Sequence, residues 1–284
     1  MTAAAADRRD TKVVLIAGPV KIPDRLGHHD YSAGCALLRE LLQQTEGVTA
    51  TVVELGWPID DRCIDEADAV VFYTGGGSKH PLACGPRRVQ KIEALVERGG
   101  GLVLLHQAIR LPTSLQEESY RWFGGAYVAG TSSRGHWSAV HSAAPAHEIG
   151  HGVRPWRSHD GWHVAIQFDG APVFPLVWAR PERKGGDDEW SDVASWAWQR
   201  PTGGRSFCFT GLDSHSAWHI DSLRQLVVNG IVWTSGREVP ANGASCRVSD
   251  SGIDSYLTPR GSMAERLPHR LKRLGKRLRA VLGA

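Results

Sequence analysis

The chain has 284 residues, 42% of them hydrophobic, and a formal net charge of +3. That length suits one large α/β domain or two small ones, and the apolar content excludes general disorder. The small charge gives no basis for a polyanion partner, so no nucleic acid is expected, and no apolar stretch reaches the roughly 20 residues a membrane helix needs.

Residues 1–11 carry no hydrophobic core of a signal peptide and read as a disordered leader, with no secretory signal expected. The run KVVLIA, residues 12–17, is a buried strand. Ala36, Leu37, Leu38, Leu41 and Leu42 give a helical stripe over 32–45, and the β-branched run 48–55 is the next strand. Residues 67–73 form a third strand that runs into Gly75-Gly76-Gly77. Val89, Ile92, Leu95 and Val96 line one face of a helix over 86–98, and Gly99 to Gly101 end it before the strand 102–105. Buried strands alternating with helices imply a mostly parallel sheet. From Val140 to Trp198 strands shorten and Pro and Gly multiply, which reads as a β-rich insertion carrying long loops. Residues 194–210 form a hairpin turning at RPTGG, and a final helix covers 219–233. The polar stretch 237–262 reads as a linker. Leu267, Leu271, Leu274, Leu278 and Val281 then mark a basic amphipathic helix over 263–284, which fits a membrane surface, a protein partner or its own domain.

Five widely spaced cysteines without a C-x-x-C pair argue against a zinc ribbon or a disulfide framework, and a reducing cytoplasm is the expected compartment. The glycines at 75–77 lack the further glycine or lysine of a phosphate cradle. Cys84 opens a helix and lacks the sharp elbow of a nucleophile.

Histidines gather where strands end: His28 and His29 after the first, His80 after the third, His106 after the fourth, and His215 and His219 behind Asp213 after the strand SFCFT. In a parallel sheet these loops share the carboxyl edge, where open α/β folds bind ligands. Asp213-x-His215 on an extended segment would turn both side chains to one side, as metal ligands or as a base with its orienting acid; a turn-capping role for Asp213 stays open. Asp160, Trp162 and His163 mix an acid with aromatics, a composition suited to hydroxyl recognition, as do the stretches HHDY and HWSAVH.

The stretches HDYSAGCALLRELL, GGGSKHPL, GGGLVLLHQA, HWS, HDGWH and the run from RPTGG to WTSG, in this order over residues 12–236, resemble the ThuA-like (trehalose utilisation) family. The resemblance implies one α/β domain with a flavodoxin-like, mostly parallel sheet, helices on both faces, and kinship with class I glutamine amidotransferases. In those relatives a cysteine nucleophile follows the fourth strand; His106 stands in its place, so thiol-based amide hydrolysis is not expected. The family's histidines correspond to His29, His80, His106 and His215, and its acid before an aromatic pair to Asp160. Two departures stand out: Gly161 replaces a glutamate, and Asp213 replaces a histidine common in nearer relatives.

The resemblance implies work on carbohydrates, with acid/base cleavage of an oxidised (keto) sugar or glycoside, metal-assisted or not. His106, His215 and Asp160 are the expected catalytic residues. His29, His80, Trp162, His163 and Trp218 are the expected substrate contacts. His215, Asp213 and His106 are candidate ligands for one divalent metal. A sugar-binding module without catalysis and a metal-dependent hydrolase of a non-sugar are the alternatives, and a homo-oligomer stays open.

Overall fold

The computed structural model describes residues 9–19, 26–142, 146–181 and 192–259. In chain order the elements are β1 (Thr11–Ala17), α1 (Tyr31–Leu42), β2 (Val48–Val53), α2 (Arg62–Asp65), β3 (Ala69–Tyr73), α3 (Pro86–Glu97) and β4 (Gly101–Leu105). Then follow α4 (Gln116–Phe123), β5 (Ser133–His141), β6 (Trp156–Val164), β7 (Phe174–Trp178), β8 (Val193–Gln199), β9 (Arg205–Phe209), α5 (Asp221–Thr234) and α6 (Asp250–Asp254).

Seven strands form one sheet in the order β2-β1-β3-β4-β9-β8-β7. The five strands from β2 to β9 run parallel, while β8 and β7 are added antiparallel. The parallel part is a flavodoxin-like order with β9 as its fifth strand. Alternate residues of each strand face opposite sides. Val13, Leu15, Val71, Val103, Leu105, Phe207 and Phe209 pack with α1 and α5. Val14, Ile16, Val70, Phe72, Leu102, Leu104 and Cys208 pack with α3 and α4. Both faces are therefore covered, which explains why these strands read as unbroken apolar runs.

The β-rich second half has two parts. One is the antiparallel extension β8–β7. The other is a separate two-stranded ribbon in which β5 pairs with β6 from Ser133↔Val164 to His141↔Trp156. The stretch read as a linker does not hang free: Val239, Ala244 and Ile253 are buried, α6 folds within it, and Thr258 donates from both its amide and its hydroxyl to Asp30. Polar groups of this stretch pair back to the domain: the Ser245 hydroxyl and the Arg247 backbone amide both donate to Gln44 Oε1. Most of the leader, and the stretch 263–284 expected to form a basic amphipathic helix, lie outside the described residues. Among the described residues no helix is long and apolar enough to cross a membrane.

Candidate active site

The loops after β1, β4 and β9 meet at the carboxyl edge of the sheet, and the centre of their meeting is the carboxylate of Asp213. His29 Nε2 lies 2.7 Å and His106 Nε2 3.1 Å from its Oδ1; His28 Nδ1 lies 3.1 Å and His136 Nε2 3.2 Å from its Oδ2. The carboxylate side chain is 9% exposed, while those of His28, His29 and His136 are 25%, 30% and 59% exposed. The acid thus lies at the floor and the imidazoles form an accessible rim.

Local backbone geometry delivers each group. β4 ends at His106 with φ 55°, a left-handed conformation that non-glycine residues rarely adopt. This is an elbow in spite of bulky neighbours Leu105 and Gln107, and it turns the imidazole off the strand axis. His106 Nδ1 donates to Thr210 O at 3.1 Å, which leaves Nε2 facing Asp213. His29 also has a left-handed φ, 51°, and its amide donates to Asp213 O. His215 N in turn donates to Gly27 O, so the 27–29 and 213–215 backbones are zipped together. The amide of Gln107 reaches His29 Nε2 at 2.9 Å.

Asp160 is the support beneath. Its Oδ2 accepts from Leu212 N at 2.7 Å, and its Oδ1 accepts from Asp213 N at 2.9 Å and Gly161 N at 2.8 Å. Leu212 has φ 76°, and Tyr73 Oη donates to its carbonyl at 2.6 Å, so this strained peptide is held from both sides. With its oxygens committed to three amides, Asp160 positions Asp213. Burial pushes its pKa up. For Asp213 burial also acts upward, but the imidazoles of His106, His28 and His29 outweigh it and hold the carboxyl well below its ordinary range. Burial pushes the His29 pKa down, helped by neighbouring His106 and His28, against the pull of the Asp213 hydrogen bond.

Gly161 is explained by the same packing. A Cβ there would sit 2.9 Å from Asp213 Cβ, 3.0 Å from its Cγ and 3.0 Å from His136 Nε2. Asp213 fills the space next to Gly161, so a carboxylate occupies this corner although the glutamate at 161 is absent.

The other expected site residues are placed elsewhere. His215 turns away: its Nε2 pairs with Ile253 O at 2.9 Å, beneath α6. The expectation that Asp213 and His215 share a side assumed an extended segment; Leu212 is left-handed and a 3₁₀ turn begins at His215, which breaks the alternation. His80 caps a 3₁₀ turn through Leu82 N and packs on Phe72, with burial pushing its pKa down to about 3. Trp162 and Trp218 are fully buried, against Phe209 and Tyr73 respectively, so neither presents a face to a ligand. His163 is buried behind His106, its ring 5.4 Å from that ring and 5.6 Å from Tyr127. The structure adds His28, His136 and Gln107. The doublet HH and the HWS stretch were the visible signals, but only the β5–β6 pairing carries His136 to Asp213.

Two wide grooves lie away from this cluster. One, of about 870 Å³, is lined by Arg9, Asp68, Arg98 and Gly204; Arg9 pairs with Asp68 at 2.6 Å, and Arg98 donates to the carbonyls of Ile64 and Ala67. The other, of about 830 Å³, borders Arg154, His219 and Arg247. Neither contains the convergent histidines.

Residues 21–234 match the family described as ThuA, trehalose utilisation. No curated protein matches the chain. A ThuA-like protein from Parabacteroides merdae superposes with a TM-score of 0.58 at 14% identity, over 87% of this chain and 99% of that one. A ThuA-like protein from Bacteroides uniformis gives 0.60 at 11% identity, over 84% and 96%. At such identities the likeness is one of fold.

Proposed function

The chain belongs to the ThuA, trehalose utilisation, family, and on that premise we propose that it is a carbohydrate-cleaving enzyme that works by acid/base chemistry on an oxidised (keto) sugar or glycoside. The observation that carries the reading is the gathering of His28, His29 and His136 on the rim and buried His106 behind them around the one carboxylate of Asp213. A ketone beside a ring C–H acidifies that proton. In a 3-keto glycoside a base takes the proton from C2, the electron pair forms C1=C2, and the C1–O bond to the aglycone breaks. The departing oxygen then needs a proton and the enolate oxygen needs an electrophile.

The residues suit these tasks. His29 is partly exposed, and burial pushes its pKa down, which favours the free base. His136 is the most exposed member and hydrogen-bonds Asp213, which suits an acid for the leaving oxygen. Asp213 stays ionised and steadies whichever imidazole is charged. Cys208, the cysteine of β9, is buried in the sheet with its thiol pKa pushed well up, a poor nucleophile. The widely spaced cysteines support a reducing, cytoplasmic setting.

The test is incubation of the purified protein with a 3-keto glycoside carrying a chromogenic aglycone, with and without chelator. Aglycone release that falls in Asp213→Asn supports the reading. No release from this or other oxidised sugars, under either condition, overturns it.

A further inference from the structure

We propose that His28, His29 and Asp213 bind one divalent transition-metal ion, with His106 beside its open coordination positions. The inference rests on the same cluster as the keto-sugar reading, but metal binding requires no sugar and can be tested alone.

The first support is spacing. One ligand atom from each of His28, His29 and Asp213 lies within 4.8 Å of the others. The closest nitrogen-to-oxygen approaches are 3.1 Å for His28 and 2.7 Å for His29. On an ion with bonds of about 2.1 Å, neighbouring ligand atoms are about 3.0 Å apart at right angles and about 3.4 Å apart in a tetrahedron. The cluster is close to that spacing before any side chain moves.

The second support is convergence. His29 Nε2 and His106 Nε2 approach the same oxygen of Asp213, at 2.7 and 3.1 Å. Thr210 O accepts from His106 Nδ1, which turns Nε2 toward the carboxylate, and that buried nitrogen makes no further hydrogen bond. Imidazole nitrogens brought to one buried carboxylate oxygen from separate loops form a donor set that a dication could occupy.

The donor set indicates the class of ion. Two imidazoles and one carboxylate are the ligands of zinc, iron(II), cobalt or manganese rather than of calcium or magnesium, which prefer oxygen. Such a three-ligand set leaves positions for substrate oxygen, and His106 stands next to them. The supporting bonds that hold metal ligands in place are present too: three amides on Asp160 fix the Asp213 backbone, and Thr210 fixes the His106 ring. In the keto-sugar reading the ion would supply the electrophile for the developing oxyanion, and because it would occupy His29 Nε2, the role of base would pass to His106.

The experiment uses tag-free, full-length protein stripped with chelator. Zn²⁺ is titrated by calorimetry, with Mg²⁺ as the comparison, and Co²⁺ loading is followed by its visible absorption. The expected result is one Zn²⁺ per chain, no comparable Mg²⁺ binding, and Co²⁺ bands of a nitrogen-containing site. His29→Ala and Asp213→Asn should weaken Zn²⁺ binding by at least about 100-fold, while His215→Ala should bind as the parent does. His29 is on the exposed rim, so its variant is expected to keep the parent's melting temperature and to remain informative if Asp213→Asn unfolds. Absence of stoichiometric Zn²⁺ binding, or unchanged binding in His29→Ala, overturns the proposal. Zn²⁺ binding without aglycone release overturns the keto-sugar reading alone. Full release by protein that binds no metal overturns this inference alone.

Discussion

Replacing Asp160 with alanine should destabilise the domain and at the same time disable a site that Asp160 does not itself line. Its carboxylate is 3% exposed and accepts three amide hydrogens, from Leu212, Asp213 and Gly161, at 2.7, 2.9 and 2.8 Å. Hydrogen bonds to a charged acceptor contribute about 1.5–3 kcal/mol each, so the three set a ceiling of roughly 4–9 kcal/mol. The loop can relax and water can enter, and removing a buried charge recovers some desolvation, so the expected loss is about 3–5 kcal/mol. Asparagine keeps one acceptor for Asp213 N and Gly161 N but presents an NH₂ group to Leu212 N, and the expected loss is about 1–2 kcal/mol. Urea unfolding followed by tryptophan fluorescence measures both. The left-handed Leu212 peptide should relax in Asp160→Ala, so aglycone release should fall more than folding alone explains when assayed well below the unfolding midpoint. An alanine variant within about 0.5 kcal/mol of the parent, the range of ordinary surface changes, would refute the role given to Asp160.

Gly161→Ala should displace Asp213 or His136, because the new Cβ would lie 2.9–3.0 Å from both; a loss of about 1–3 kcal/mol in urea and a larger proportional loss of activity are expected. His219 sits between Asp250 at 3.0 Å and Asp254 at 2.9 Å, and these hydrogen bonds raise its pKa. A raised folded pKa means that its contribution is full below the free imidazole value and is lost as pH rises through the folded one. Hydrogen exchange in α6 should therefore quicken as pH climbs through that window, beyond the intrinsic base-catalysed increase, and His219→Ala should remove the excess. His80 and His141 are buried with pKa values pushed down to about 3 and about 4. Depressed values reverse the sign: stability is full above about 6.5 and falls as pH drops toward the folded pKa. At pH 4.5 the buried neutral His80 alone should account for a loss of about 2–3 kcal/mol in urea, which a neutral replacement would lack. His215→Ala should loosen α6 through the lost Ile253 bond and leave activity within a few-fold of the parent.

Much of the frame was legible because its signals are local. The apolar runs at 12–17, 67–73 and 102–105 named the buried strands to within a residue or two, and the stripe of Leu37, Leu38, Leu41 and Leu42 named α1. His29, His106 and Asp213 were legible as ends of parallel strands, since topology alone brings those loops to one edge. What failed to show depends on long-range pairing or on a single φ. His136 reaches Asp213 only because residue 136 pairs opposite Gly161 in the β5–β6 ribbon. His215 was assigned by alternation along an extended segment, and the left-handed Leu212 breaks that alternation. Trp162 and Trp218 carried the composition of a sugar platform but fill the core, which no composition distinguishes. The 237–262 stretch looked like a linker since attachments such as Thr258 to Asp30 span more than two hundred residues.

The most direct test of the account is the turnover of a 3-keto glycoside by Asp213→Asn against the parent. Asparagine keeps the shape of the floor but removes the charge that the four histidines surround. The account predicts release by the parent and a fall of at least about 100-fold in kcat/KM for the variant, assayed well below its own unfolding midpoint. Equal turnover in the two proteins, or none in the parent, would contradict it.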